Sequence, residues 1–181
     1  MRLKLRQIIS VFAIVVTIAS CTSDKQKMIQ EISKSESELM NDTSLVLNVV
    51  KGKAMQDLYL KYTDTYNTDT LCASYLFKAA DLSNGMHDPN KAVELLGRML
   101  QKYPTHPKCS DALFLQAFLY DTELKLANSA KEKYKEFIQR FPDDALAPSA
   151  IASLQQLESG LSDEELVKKF QRMNDSLDAV K

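Results

Sequence analysis

The stretch YPTHPKCSDALFLQAFLYDTELKLANSAKEKYKEFIQRFP, residues 103–142, opens and closes on the same aromatic–proline pair. Between the two pairs lie an apolar run, Ala112-Leu113-Phe114-Leu115, and a spaced set, Ala130, Tyr134, Phe137, Ile138 and Phe141. Aligning the chain on the aromatic member finds copies on either side: Tyr66, Tyr103 and Phe141 are 37 and 38 residues apart. A large aliphatic residue follows each of them ten positions later, as Leu76, Leu113 and Ile151. A period of this length marks an array of stacked units, and turns the functional reading toward binding rather than catalysis.

The helix that ends each unit has its own signature. Ala130, Tyr134, Phe137, Ile138 and Phe141 fall at offsets 0, 4, 7, 8 and 11, and Ala92, Leu96, Met99, Leu100 and Tyr103 fall at the same offsets. Those offsets trace one face of a helix with 3.6 residues per turn. Counting back gives Met55, Tyr59, Tyr62, Thr63 and Tyr66; counting forward gives Leu166, Phe170, Met173, Asn174 and Leu177. Cap residues divide the helices. Asp88 is an N-cap with Pro89 at the first helical position, Asn84-Gly85 and Ser159-Gly160 are C-terminal stops, and Ser162 with Glu165 forms a capping box stapled by Leu161 and Leu166. Copies are expected near 54–85, 88–122 and 127–160, with a closing helix at 163–180, inside a repeat domain covering 43–181. Ahead of them, Val46, Val50, Ala54, Leu58 and Tyr62 recur at four-residue steps and predict a helix through Gly52.

Two antiparallel helices in this span, with a small residue, a Leu or aromatic four later and a proline twelve later, resemble the tetratricopeptide repeat. Those residues are Ala92, Leu96 and Pro104, then Ala130, Tyr134 and Pro142; Ala80 and Ala117 are the small residues of the first helices. The likeness covers Ala54 to Leu177 and is greatest to the subclass found in the outer-membrane assembly lipoprotein and the Tol-associated periplasmic coordinator protein. Departures are the absence of tryptophan, Asn67 in place of proline, and Gln155 in place of the small residue. The resemblance implies an all-α fold of antiparallel hairpins stacked as a right-handed superhelix, an α-α solenoid. It also implies a partner groove lined by first helices, with Ser74, Phe77, Asp81 and Asn84 from one copy and Asp111, Phe114, Phe118 and Asp121 from the next. Such a surface suits a peptide with apolar anchors and Lys or Arg. Phe77 and Phe114 have an alternative place as wedges between repeats.

The first 20 residues read as an address. Arg2, Lys4 and Arg6 precede an apolar core from Ile8 to Ala19, too short for the roughly 20 apolar residues that a spanning helix needs. Ile18-Ala19-Ser20-Cys21 resembles the bacterial lipobox, which implies a signal peptide over 1–20 and a lipid on Cys21. By the same resemblance, Thr22 in place of Asp favours the outer membrane, and Lys25 and Lys27 after Asp24, in place of an acidic cluster, favour its periplasmic face over the cell surface. Residues 21–42, rich in Ser, Lys and Glu, are expected to be mainly a polar tether that is partly helical. Removing the first 20 residues takes away three cations and no acid, so the formal charge falls from −1 to −4. No concentrated basic face is visible, which argues against nucleic-acid binding.

Catalytic and metal chemistry find little footing. His87 and His106 each lie in a link between helices with no third ligand spaced beside them, no nucleophile elbow or phosphate-cradling loop is present, and no cofactor is expected beyond the lipid. Cys72 and Cys109 occupy equivalent positions in successive copies, too far apart on stacked hairpins for a disulfide, and are expected to be separate thiols. The chain therefore reads as a non-enzymatic, membrane-anchored adaptor that holds envelope proteins or peptide segments. Alternatives are an assembly factor for outer-membrane proteins, or a structural spacer or accessory to cell-wall enzymes.

Overall fold

The computed structural model describes residues 24–41 and 48–160, together with 165, 168, 171 and 172. The expected signal peptide, Cys21, Val46, the Ser162 cap and most of the closing helix lie outside those residues. All regular structure among the described residues is helical: α1 at 24–40, α2 at Val49–Thr65, α3 at Leu71–Gly85, α4 at Pro89–Lys102, α5 at Cys109–Thr122, α6 at Ala127–Arg140 and α7 at Ala147–Ser159. The chain divides into two compact units, the first ending at Met86 and the second beginning at His87.

In the first unit α2 and α3 form an antiparallel hairpin. Asn48 caps α2 through its side-chain oxygen, which accepts from the Val50 and Lys51 amides at 3.1 and 3.2 Å. The buried face of α2 is Gly52, Met55, Gln56, Tyr59, Tyr62 and Thr63, which includes the signature residues at offsets 0, 4, 7 and 8. Tyr75 of α3 stacks on Tyr59 with ring centroids 5.1 Å apart and meets Tyr62 edge-on at 4.9 Å. The expected stripe at four-residue steps is not the buried one: Val50 is 80 % exposed and Ala54 is exposed as well. With 3.6 residues per turn, a strict four-residue step drifts about 40° round the helix at each step, so it leaves the packing face within two turns.

Residues 24–40, expected to lie in a polar tether that is partly helical, are helical throughout. They form α1, which lies against α2 and α3. Ile32 is only 1 % exposed, Lys25 pairs with Asp69, and Glu36 accepts from the Tyr59 hydroxyl at 2.6 Å and from Lys78 at 2.7 Å. Ordered along α1, these partners run toward the C-terminus of α3 and back along α2. α1 is therefore parallel to α3 and antiparallel to α2, the placement of a first helix ahead of the second helix α2. Its apolar stripe is thin: Ile32 is buried, Met28, Ile29 and Leu39 are half-buried, and Lys25 and Glu36 add polar contacts.

The second unit repeats the scheme. Asp88 caps α4 by accepting from the Lys91 amide at 3.0 Å, with Pro89 in the first turn. Ala92, Leu96, Met99 and Leu100 are buried on α4, as are Ala130, Tyr134 and Phe137 on α6, while Ile138 is half-buried. Leu76 and Leu113 are fully buried, whereas Ile151 at the corresponding place keeps 41 % exposure on α7, the last complete helix among the described residues. A buried glutamine crosses each of the α2–α3 and α4–α5 hairpins, from opposite sides. Gln56 on the earlier helix donates to the Ala79 carbonyl, whereas Gln116 on the later helix donates to the Val93 carbonyl at 2.9 Å. Gly97 permits the second crossing, since a Cβ there would lie 3.1 Å from the Gln116 amide nitrogen.

The three links that carry the aromatic residue are alike. In each, the aromatic amide donates to a carbonyl four residues back, Tyr66 to Tyr62, Tyr103 to Met99 and Phe141 to Phe137. Its own carbonyl accepts from the residue three further on: Asp69, His106 or Asp144. The side chains of those three then accept from the amides of Leu71, Lys108 and Leu146, at 2.8, 3.2 and 2.8 Å. His106 thus fills the capping place of an aspartate, and Asn67 stands in for Pro104 and Pro142 without altering the turn. Cys72 and Cys109 are buried thiols that each donate, at 3.1 Å, to the carbonyl of the preceding tyrosine, Tyr66 and Tyr103. Burial pushes the Cys109 thiol above its ordinary pKa.

The helix before the second unit stops at Asn84-Gly85 as expected. Gly85 is the last residue of α3 and does not adopt the left-handed conformation; His87 does, with φ 61°, and Lys125 does so at the equivalent place, with φ 54°. Gly160 ends α7 as expected, with φ 64°. A left-handed backbone costs a non-glycine residue about 1–2 kcal/mol, against the roughly 0.5–1 kcal/mol of extra chain entropy that glycine loses on folding. Substituting His87→Gly or Lys125→Gly should therefore stabilise its unit by up to about 1 kcal/mol. A higher urea midpoint for each variant is the expected result, and a lower one would show that the side chain outweighs the backbone.

Candidate binding site

The eight groove candidates fall four on α3 and four on α5. On α3, Ser74, Phe77 and Asn84 are half-buried and Asp81 is exposed. On α5 the structure separates the four. Asp111 sits in the first turn of the helix, 3.5 Å from the Lys108 ammonium, and Phe114 turns toward α6, edge-on to Tyr134 and Phe137 with centroids 6.0 and 5.6 Å away. Phe114 thus packs between α5 and α6. Phe118 and Asp121, one turn apart, share a recess of about 520 Å³. Neither Asp111 nor Phe114 lines it.

The walls of this recess come from three helices and a link. α5 supplies Phe118, Asp121 and Thr122, the link supplies Lys125, α6 supplies Tyr134, and α7 supplies Ser153, Gln156 and Leu157. Phe118 is 43 % exposed, an aromatic face left open on the helix whose other side is fully packed through Leu113, Ala117 and Leu119. Tyr134 is fully buried. Burial first, and the Asp121 carboxylate with it, hold the Tyr134 hydroxyl protonated above its ordinary range, while Ser153 pulls the other way. Asp121 and Lys125 add one charge of each sign to the lining. The recess falls in the size range of sites that take a small molecule or a large side chain. Among the described residues no three His, Cys, Asp or Glu side chains gather as a metal-ligand set, and no helix is long and apolar enough to cross a membrane.

Gln156 was within reach of the sequence. The register that carries Asp81 to Phe118 reaches Gln156 after 38 more residues. Tyr134 and Ser153 were not, since the first is indistinguishable from a core residue and the second from a solvated serine.

Comparison with known families bears on this same region. Residues 111–144 match the tetratricopeptide repeat. The chain contains a tetratricopeptide repeat. No curated protein matches its sequence. The matched repeat runs from the first turn of α5 through α6 and the Phe141-Pro142 link, crossing the boundary expected between 122 and 127. α5 is thus its first helix and α6 its second, and the recess opens beside the first helix. Tetratricopeptide repeats bind protein partners or peptide segments and generally serve as scaffolds rather than enzymes.

Proposed function

We propose that this protein is a lipid-anchored adaptor of the bacterial envelope. Cys21 carries the lipid, the outer membrane holds it at the periplasmic face, and the recess beside Phe118 takes a segment of an envelope protein. The observation that carries the binding half is the joint placement of Phe118 and Asp121 in one recess on the first helix of the matched repeat. An apolar side chain of the partner would lie on Phe118, with a neighbouring Lys or Arg beside Asp121. The anchor half is supported by Ile18-Ala19-Ser20-Cys21 behind a basic start and a short apolar core.

A photoreactive residue at position 118 should give a discrete adduct in gently solubilised membranes, and Phe118→Ala should weaken capture of that adduct's partner about tenfold or more, as for a central aromatic anchor. Adducts at 118 no different from those at exposed Lys135 would sink the groove. Cys21→Ala should release the protein from the membrane fraction, and continued pelleting would sink the anchor.

A further inference from the structure

We infer that the first unit is held end-on against the polar surface of the bilayer, with the link between α2 and α3 nearest the lipid. This rests on the acylation of Cys21 proposed above and deepens it. The argument starts from where α1 begins. Residue 24 is already helical, and the helix is fixed to its unit within one residue of its start by the Lys25–Asp69 pair, then by Ile32 and by Glu36 with Tyr59 and Lys78. From Cys21 to Asp24 there are three backbone steps, a reach of at most about 10 Å. A lipid on Cys21 therefore leaves no room for a long leash, and the end of the unit that carries Asp69 stays close to the headgroups.

The chemistry of that end suits the position. Asp24 pairs with Lys27 at 3.2 Å and Lys25 with Asp69, so the charges there are matched, while Thr68 and Thr70 offer exposed hydroxyls to headgroup oxygens. The flank of α1 does not invite it to lie flat. Its exposed residues include Gln26, Lys27, Gln30, Glu31, Lys34 and Glu38, with no apolar face of the kind that buries a helix in the interface. α1 is about 25 Å long, so its exposed far end at Met40 stands well away from the surface when the near end touches it.

The test uses the full acylated protein in phosphatidylethanolamine–phosphatidylglycerol vesicles carrying nitroxide headgroups. A fluorophore is attached through Thr68→Cys or Met40→Cys, and the unsubstituted protein reports any labelling of buried Cys72 and Cys109. Fluorescence at position 68 should be quenched several-fold more than at position 40, and a long Gly/Ser insertion between Ser23 and Asp24 should abolish the difference. Equal quenching without the insertion, or stronger quenching at 40, overturns the end-on placement while the mass of an acylated Cys21 peptide keeps the anchor reading intact. An unmodified Cys21 in the same mass analysis overturns both.

Discussion

Phe137→Ala should cost the second unit about 3–5 kcal/mol, a large share of the roughly 5–15 kcal/mol that holds a typical domain folded. Phe137 is fully buried on α6, meets Phe114 of α5 edge-on and lies 5.6 Å from the Phe141 ring. Removing the ring leaves a cavity where one helix packs on the next, and in a stacked array each interface supports only its immediate neighbours. Urea unfolding followed by far-UV circular dichroism should show the loss, with exposed Glu132→Ala within about 0.5 kcal/mol of the parent. A small effect at Phe137 would mean that the α5–α6 interface is not where the unit holds together.

Ile32→Ala is expected to release α1 while leaving α2 and α3 folded. The substitution costs about 2–5 kcal/mol at a fully buried site, and the other apolar contacts of α1, through Met28, Ile29 and Leu39, are only half-buried. Amide exchange over 24–40 should rise sharply while the α2–α3 hairpin stays protected. Rapid exchange across the whole unit would instead make α1 part of its core. Acid should act on the same contact. Burial would raise the Glu36 carboxyl, but the hydrogen bonds from Lys78 and Tyr59 and the Lys78 charge outweigh it and hold Glu36 below its ordinary value of 4.5. A carboxyl lowered in the folded state contributes stability above that value and loses it as pH falls through the lower, folded one. The protection of the α1 amides, measured against their intrinsic exchange rate at each pH, should therefore fall below about pH 4.5 before that of the hairpin, and Glu36→Gln should flatten that dependence.

The parts of the fold legible in the sequence were those written in apolar side chains. The offsets through Met55, Ala92 and Ala130 located the buried faces of α2, α4 and α6 because large residues must be covered whatever else happens. That part of 21–42 is helical was legible, but the packing of α1 was not, because Lys25 and Glu36 look like solvated charges until Asp69, Tyr59 and Lys78 are brought opposite them. The stop at Asn84-Gly85 was legible, since α3 ends at Gly85, but the left-handed residue lies two positions later, at His87, where the side chain gives no warning. In the recess, Phe118 and Asp121 followed from register. Phe114 did not, because an aromatic one turn earlier can face either the groove or the next helix, and the rings of Tyr134 and Phe137 decide which.

The swapped glutamines have a consequence for how such an array tolerates change. Gln56 and Gln116 sit on opposite partners of their hairpins, yet each spans to a carbonyl 23 residues away and locks the same register. The later-helix form also needs room opposite it, which Gly97 supplies on α4 and Leu60 at the equivalent place on α2 does not. Moving the amide from one helix to the other therefore keeps the register only when the facing residue changes with it.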